Sequence, residues 1–251
     1  MMQRFFLPPE SFQGQTILFP KDISHQIKRV LRMQNGQQVI VLNNKGYEFD
    51  VELDETNTSQ ISARIINTRA ALGEPDNQIT LYISLTQREK FEWVLQKCTE
   101  VGVNKFVPLI TSRTLLKKNQ EAHRKVDRWR RIIREAAEQC ERGRIPVLAE
   151  VLQFDALAVQ ENQADLRLML WASEDQLNLK DVLNLIPPSK KSGLEIELLI
   201  GPEGGFSSQE VLQAQENGFK AVSMGKRILR METAAVAAVT AVLYHMGDLS
   251  L

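Results

Sequence analysis

Short apolar runs alternate with helical patterns from Gln78 to the end of the chain. The apolar runs cover residues 79–86, 105–110, 166–171, 195–200 and 221–224, and the helical patterns cover residues 89–101, 121–141, 207–217 and 232–245. Strands that alternate with helices form parallel sheets, in which the crossover connections are right-handed. This part of the chain is therefore predicted to be an α/β domain.

The first 70 or so residues have a different pattern. Residues 38–42 are apolar, residues 47–53 alternate apolar and charged side chains, and residues 61–66 resemble a third strand. Residues 43–46 are predicted to form a hairpin turn, and residues 22–31 a short helix. Turn-forming residues fill 71–77, so the sequence predicts a division near residue 72.

Composition excludes several classes of protein. The chain has 251 residues, and its 31 basic residues balance 31 acidic ones, so any nucleic-acid partner must be met by a local patch. Cys98 and Cys140 are too few for a disulfide framework or a structural zinc site. The N-terminus lacks a signal-peptide core, and the most apolar stretch, residues 234–244, is shorter than the ~20 residues of a membrane span. We therefore expect a cytoplasmic protein with no membrane or metal partner.

A glycine-rich segment directly follows the apolar run 195–200 and precedes a helix that Ser207 can cap. Ligands of open α/β sheets bind outside the carboxyl ends of the strands, and glycines there allow close approach of a ligand to the backbone. The alternative, a tight turn that only needs flexibility, is equally compatible with the position. The segment is neither a P-loop nor a dinucleotide fingerprint, because the Lys-Ser/Thr ending and the glycine spacing are absent.

A second loop, residues 225–230, also follows a predicted strand and precedes a helix. Two such loops from neighbouring βα units can form one pocket. The following helix begins with small residues, which allow another backbone to approach closely. For the helix taken alone, a plain buried helix is the better interpretation of this composition. Together with the loop, a helix in a crowded core or an interface becomes a second interpretation.

Positive charge is concentrated between Arg113 and Arg144, where eleven Lys and Arg accompany five Asp and Glu. A basic helix that also carries Trp129 can contact nucleic-acid phosphates. The alternative is a solvated helix with i,i+4 ion pairs such as Arg131–Glu135 and Arg134–Glu138. The excess of positive charge is larger than such pairs can absorb, which favours an anionic partner.

Taken together, these motifs resemble the RsmE family, the 16S ribosomal RNA uridine N3-methyltransferases of the SPOUT superfamily. The most specific motifs are LLIGPEGGFS at 198–207 and MGKRILRMETAAVAA at 224–238. Supporting motifs are EKFEWVLQKCTEVGV at 89–103, EAAEQCERGRIP at 135–146 and RFF at 4–6, so the resemblance spans nearly the whole chain. Residues 87–92 match the family only loosely.

The resemblance implies a fold and partners. Residues 1–72 are expected to form a PUA-like β-barrel that helps to hold RNA, and residues 73–251 a parallel sheet tied in a SPOUT-type trefoil knot. Family members resemble one another in being homodimers with S-adenosyl-L-methionine held in the knot. The implied substrate is 16S ribosomal RNA of the small ribosomal subunit.

The resemblance also implies a cofactor site at the strand ends. Its expected members are Gly201, Pro202, Glu203, Gly204 and Gly205 in the first loop, Met224, Gly225, Ile228, Leu229, Arg230 and Thr233 in the second, and Ile200, Trp171 and Ala172 as further walls. Arg230 is the candidate for stabilising negative charge on the uracil ring. Glu232 is a candidate proton acceptor, and an equally good interpretation makes it a helix-start charge with no chemistry.

We expect arginines of both domains to contact RNA phosphates: Arg4, Arg29, Arg32, Arg124, Arg128, Arg131 and Arg134. Two other functions remain open. A non-catalytic RNA-binding or ribosome-assembly protein would use the barrel and the basic helix but would not need the two strand-end loops. A ribose 2′-O-methyltransferase of the same superfamily would use the same loops on a different target atom.

Overall fold

The computed structural model describes residues 2–55, 60–114, 125–159 and 164–250. The chain forms two compact units. The first comprises Met1–Glu74 together with Ala137–Ile145, and the second comprises Pro75–Ala136 together with Pro146–Leu251. The first unit therefore includes a segment from the middle of the chain, which no local sequence pattern predicts.

The first unit contains a mainly antiparallel sheet of six strands. They are β1 (Arg4–Phe6), β2 (Phe12–Gln13), β3 (Thr16–Leu18), β4 (Gln38–Leu42), β5 (Tyr47–Glu55) and β6 (Ser62–Ala70), in the order β1-β4-β5-β6-β3-β2. Only β1 and β4 are parallel. The predicted hairpin between β4 and β5 is present, with Asn44 and Gly46 at positive φ.

The sheet of the first unit curls around one apolar core. Side chains of β1, β3, β4, β5 and β6 share a single buried cluster, although β1 and β3 lie far apart in the strand order. The Phe5 and Phe19 rings meet edge to face at 6.3 Å between centroids. A short helix α1 (Lys21–His25) and a π-helical turn (Gln26–Val30) bury Ile23 and Ile27 in the same cluster, where the sequence predicts one helix.

The segment Ala137–Ile145 packs on the strands of the first unit. Glu138 accepts a hydrogen bond from the Phe6 backbone N–H at 2.9 Å, and Gly143 accepts one from Gly46 at 3.2 Å. Arg142 is buried and donates to both oxygens of Glu74. A Cβ on Gly143 would lie 2.5 Å from the Ala71 Cβ, so this close approach requires glycine.

The second unit contains a parallel sheet of seven strands, β7 (Gln78–Ser84), β8 (Lys105–Ile110), β9 (Val147–Leu148), β10 (Leu152–Gln153), β11 (Leu166–Leu170), β12 (Glu195–Ile200) and β13 (Lys220–Val222). The order is β10-β8-β7-β12-β11-β13, with β9 paired to β8. Every pairing in this sheet is parallel, which confirms the predicted α/β class.

Five α-helices follow α1 among the described residues: α2 (Arg88–Val101), α3 (Val126–Gln139), α4 (Leu179–Asn184), α5 (Ser208–Glu216) and α6 (Met231–Met246). Short 3-10 helices occupy Pro9–Ser11, Phe154–Val159 and Pro188–Lys190. Helix α3 ends before Glu141, where the sequence predicts helix to continue, because Glu141 adopts a left-handed φ of 65°. Helix α6 packs on α2 and on β12.

Two properties of the described residues concern partners. None of their helices is both long enough and apolar enough to cross a membrane. Among those same residues, no group of three or more His, Cys, Asp and Glu side chains is arranged to hold a metal ion.

Candidate active site

Three neighbouring parallel strands of the second unit end at one edge of the sheet. Strand β11 pairs with β12 on one side and β13 on the other, and all three point the same way. The Trp171 backbone N–H, just after β11, donates to the Val222 carbonyl at 3.1 Å. The fold therefore brings the segment after β11 and the two predicted loops to the same edge.

The predicted cofactor residues differ in their exposure at this edge. Ile200 and Pro202 are buried; Trp171, Gly201, Gly205, Met224 and Leu229 are half-buried; Ala172, Glu203, Gly204, Gly225, Ile228, Arg230 and Thr233 are exposed. Ile228 is the most exposed large apolar side chain of the second unit among the described residues. An exposed apolar side chain at the end of a strand is available to a ligand ring.

The glycines of the first loop are not equivalent. A Cβ on Gly201 would lie 2.9 Å from the Phe206 ring, so the ring leaves room only for glycine. Gly205 has a φ of +67°, which favours glycine, and its N–H closes a turn onto the Pro202 carbonyl at 2.9 Å. A Cβ on Gly204 would make ordinary contacts with Arg113 at 3.5 Å. The Phe206 ring therefore favours glycine at position 201, and the backbone conformation favours glycine at position 205.

The carboxylate of Glu203 is held in its ionised form at the sheet edge. Its Oε1 accepts a hydrogen bond from the Thr86 hydroxyl and another from Lys90 Nζ at 2.9 Å. Burial raises the pKa of Glu203, but the hydrogen bonds from Thr86 and Lys90 outweigh burial and lower the pKa below its ordinary value. The first loop thus presents a negative charge that is partly balanced by Lys90.

Arg113 braces the same loop. Its Nη1 donates to the Gly204 carbonyl at 2.7 Å and to the Phe206 carbonyl at 3.4 Å. Glu210, in the first turn of α5, accepts from the Ser112 backbone N–H at 2.7 Å and forms a capping box with Ser207. The segment after β8 therefore fixes the conformation of the loop after β12.

The second loop ends at the start of α6. Gly225 has a φ of +99°, and Arg230 is the N-cap residue of the helix, although its side chain does not cap it. Glu232 follows in the first turn, and its Oε2 is buried without a hydrogen-bond partner among the described residues. A buried carboxylate oxygen is costly to leave unpaired, so this atom is a group that a bound molecule could satisfy.

Comparison with known proteins identifies the family. Residues 73–243 match the family model of an RNA methyltransferase domain, and residues 19–66 match that of an RNA methyltransferase PUA domain. The chain is similar to the ribosomal RNA small subunit methyltransferase E of Synechocystis sp., with 35% identity over 95% of this chain and 76% of that protein. This chain belongs to the ribosomal RNA small subunit methyltransferase E family.

Other relatives carry the same name or the same fold. The Bacillus subtilis methyltransferase E is 29% identical over 97% of each chain. The solved methyltransferase E of Neisseria gonorrhoeae, bound to S-adenosyl methionine, has a TM-score of 0.86 and 29% identity over 97% of this chain and 98% of that one. A Legionella pneumophila protein in complex with the same cofactor has a TM-score of 0.86 and 31% identity over 97% and 98%.

The arginines proposed to contact RNA in this methyltransferase E family member occupy different environments. Arg29, Arg32 and Arg131 are exposed, and Arg134 is half-buried. Arg128 is exposed but already paired with Glu92. Arg124 lies outside the described residues. The exposed residues therefore remain candidates on the surface of their own unit.

Two side chains of the predicted RNA surface, one basic and one aromatic, are buried in the structure. Arg4 is buried and paired with Glu48, with Glu141 at 3.8 Å, so its guanidinium is engaged inside the first unit. Trp129 is buried against Phe91, with 4.7 Å between ring centroids, and therefore cannot stack on an RNA base. We leave both out of the RNA surface that we propose for this family member.

Sequence analysis also missed three residues of this edge: Thr86, Lys90 and Arg113. A positional signal was present for each of them. Thr86 ends a predicted strand, Lys90 lies in the first turn of the next helix, and Arg113 follows the predicted strand 105–110 by three residues. In a parallel sheet all of these positions lie at the carboxyl edge, where ligands bind.

Proposed function

We propose that this chain is an S-adenosylmethionine-dependent methyltransferase that methylates N3 of a uridine in 16S ribosomal RNA of the small subunit. The observation that carries the proposal is the meeting of two glycine-containing loops at one sheet edge, in a fold shared with relatives solved with the cofactor. We further propose that the protein acts in the cytoplasm, where its substrate is assembled.

The chemistry of this edge fits the cofactor. S-adenosylmethionine carries a positively charged sulfonium and an adenine ring, and when bound it supplies the transferred methyl group. The ionised Glu203 and the loop carbonyls suit a cation, whereas a nest of backbone N–H groups would suit an anion. Ile228 and Leu229 offer apolar surface for the ring, and the buried Ile200 lies beneath the loop at the end of β12. We assign the predicted cofactor residues to this role.

Arg230 and Glu232 are the residues that we assign to the chemistry of the base. Methylation of N3 replaces the proton of that nitrogen, so a group must accept the proton and the ring must carry negative charge. The permanently charged guanidinium of Arg230 can hold the uracil O2 or O4 while that charge develops. We assign proton acceptance to the Oε2 of Glu232, a choice supported by its lack of a hydrogen-bond partner among the described residues.

We assign RNA holding to the first unit and the exposed arginines, with residues 1–72 as a PUA-like domain. Residues 73–251 are proposed to be the trefoil-knotted catalytic domain. The proposal of a knot is supported by the small side chains at the start of α6, because a threaded segment leaves little room for larger ones. These residues are Thr233, Ala234, Ala235, Ala237 and Ala238.

We also propose that the protein is a homodimer. Ala234, Ala237, Ala241 and Tyr244 follow one another at spacings of three and four residues along α6, which places them on one stripe. The three alanines are half-buried, and the Tyr244 ring is exposed. A second copy packed on this stripe would cover apolar surface that the described part of the chain leaves open.

The reaction is tested on RNA from a strain that lacks the gene. A methyl group on N3 occupies the base-pairing edge, so reverse transcriptase should stop at the modified uridine in wild-type RNA and pass it in the deletion strain. Mass spectrometry of the same fragment identifies the base as the methylated part. A methyl group found on the ribose, or an identical stop in both strains, would contradict the proposal.

The Arg230→Ala variant tests the assigned residue in the same strain. Loss of one group that stabilises developing negative charge typically lowers turnover by about 10²–10³-fold. We expect the stop to stay absent when this variant replaces the wild type, and calorimetry of the purified variant separates a loss of chemistry from a loss of cofactor binding. Arg230→Lys should restore turnover only in part, because one ammonium cannot reproduce the planar fork.

A further inference from the structure

Two arginines from different helices share one carboxylate near the proposed active site. Glu92 of α2 accepts from Arg128 Nε on Oε1 at 2.6 Å and from Arg128 Nη2 on Oε2 at 2.9 Å. Its Oε1 also accepts from Arg88 Nε at 3.0 Å. The carboxylate therefore fixes the guanidinium of Arg128, in α3, beside that of Arg88, in the first turn of α2.

The three side chains differ sharply in exposure. Glu92 is 9% exposed, whereas the side chains of Arg88 and Arg128 are 54% and 51% exposed. Hydrogen bonds from Arg128, and then from Arg88, hold the pKa of Glu92 below its ordinary value despite burial. The Glu92 carboxylate is therefore ionised at neutral pH. A buried anion thus supports two cations that reach the solvent.

The contacts with Glu92 leave N–H donors of both arginines unused. Toward the residues that the structure describes, Arg88 uses only Nε and Arg128 uses only Nε and Nη2. Each guanidinium carries five N–H donors, so both retain several. Two guanidiniums share the one carboxylate of Glu92, and the further carboxylate that Arg128 senses, Glu135, acts only through charge and takes up no donor. Paired guanidiniums with fixed geometry and spare donors match the tetrahedral oxygens of a phosphate.

The pair lies on the helix whose start contacts the proposed cofactor loop. Thr86 and Lys90, which flank Arg88 in the sequence, both donate to Glu203 in that loop. Arg88 and Lys90 are two residues apart in α2, about 3 Å along the helix axis but on different faces of the helix. A phosphate held by the pair would therefore lie at the same end of α2 as the contacts with the loop, around the helix from Glu203.

We propose that Arg88 and Arg128 together bind a backbone phosphate of the RNA beside the target nucleotide, and that Glu92 is the positioning residue that holds them. The inference rests on the proposed function, because it assumes an RNA substrate at this edge. It adds Arg88 and Glu92 to the RNA surface and gives Arg128 a defined neighbour. It also distinguishes this site from a patch that acts through charge alone.

The Glu92→Gln variant separates those two explanations, because they predict opposite results. The substitution removes a negative charge, so a surface acting only through charge would bind RNA more tightly. Loss of positioning should instead raise the KM for small subunits from a deletion strain by about tenfold, the cost of one charge-assisted hydrogen bond. The KM for S-adenosylmethionine should not change. Tighter RNA binding by Glu92→Gln would overturn the inference.

Arginine variants give the matched comparison. Arg88→Gln should weaken binding of a labelled single-stranded oligouridylate and lower the salt slope by about 0.7, the value for one phosphate contact. Arg130→Gln is the control, because Arg130 is 63% exposed on α3 and its Asp127 partner is 3.6 Å away. Equal weakening by Arg88→Gln and Arg130→Gln would mean that position does not matter, which overturns the inference.

Failure of the inference can be told from failure of the proposed function. If wild-type protein methylates small subunits and Arg88→Gln and Glu92→Gln do so with unchanged KM, the phosphate site is wrong and the function stands. If wild-type protein binds the cofactor but transfers no methyl group to RNA, the function itself is wrong. Thermal unfolding of Glu92→Gln, and the milder Glu92→Asp, separates misfolding from lost positioning, because Glu92→Asp should partly restore the KM.

Discussion

The charge of Glu203 depends on two neighbours that are far from it in the sequence. Burial of the side chain raises the pKa of its carboxyl, and the hydrogen bonds from Thr86 and Lys90 lower the pKa by more. Because the pKa in the folded state lies below the ordinary 4.5, the ionised form stabilises the fold. That contribution is present above the unfolded pKa and is lost as the pH falls through the folded one.

Removing one neighbour should raise the pKa of Glu203. In Lys90→Met the burial that raises the pKa remains, while a hydrogen bond and a positive charge that lower it are gone. We therefore expect the pKa of Glu203 to rise, measured by NMR titration of its carboxyl carbon. Lys97→Met is the control, since Lys97 is on the same helix but pairs with Glu100. A Glu203 pKa that stays the same in Lys90→Met would show that Lys90 does not set it.

Side-chain burial explains which site residues the sequence could predict. The loop residues were predictable because strand ends are visible as the ends of apolar runs. Arg4 was misjudged because only the pairing of β1 with β4, and of β4 with β5, places it next to Glu48. For Trp129 a signal existed: Ile133 and Ala136 follow it at spacings of four and three, which is the pattern of a buried helix face.

The first loop offers a prediction about its three glycines. Gly201→Ala would push a Cβ to 2.9 Å from the Phe206 ring, and Gly205→Ala would hold alanine at a φ of +67°. Each should weaken cofactor binding, and for Gly205→Ala the left-handed backbone costs about 1–2 kcal/mol. Gly204→Ala is the matched control, because its Cβ would meet Arg113 at an ordinary 3.5 Å.

Calorimetry with S-adenosylmethionine measures all three variants under the same conditions, and circular dichroism reports whether each one folds. The expected order of affinity places Gly204→Ala above the other two, because its Cβ disturbs the conformation of the loop least. If Gly204→Ala loses binding while Gly205→Ala keeps it, the loop does not hold the cofactor in the conformation described.

The sequence predicts the elements that are bounded apolar runs. It does not predict the short strands whose position depends on pairing with distant strands. Strands β4, β8 and β12 begin and end where the sequence predicts, since each is a bounded apolar run. Strands β1, β2 and β3 have only two or three residues, too few to show a period. Their position is decided by partners distant in the chain, such as β4 for β1, which no local pattern records.

The place of Ala137–Ile145 in the first unit also depends on partners that are distant in the chain. The motif that resembles the family there, residues 135–146, gives no hint of its role from composition. The contacts explain it: Arg142 needs Glu74, and Gly143 needs the space beside Ala71. The long-range contacts that define the units were therefore not predictable, whereas the α/β class was.

The exposed stripe on α6 leads to a prediction about the assembled molecule. We expect light scattering to give about twice 28.6 kDa for the wild type at micromolar concentration. Tyr244→Arg places a charge at the C-terminal end of the proposed stripe without disturbing the subunit, because Tyr244 is 75% exposed. Loss of an aromatic anchor of an interface typically costs about 2 kcal/mol or more, so dimer dissociation should increase by about 30-fold or more.

Leu212→Arg supplies the control for Tyr244→Arg. Leu212 is also large, apolar and exposed, at 61%, but it lies on α5, a helix that does not carry the stripe. It should remain dimeric, because the added charge stays in solvent. A monomeric wild type would exclude the dimer, and equal dissociation of both variants would exclude α6 as its interface. Dissociation of Tyr244→Arg alone would mean that apolar surface on the last helix joins two copies of the chain.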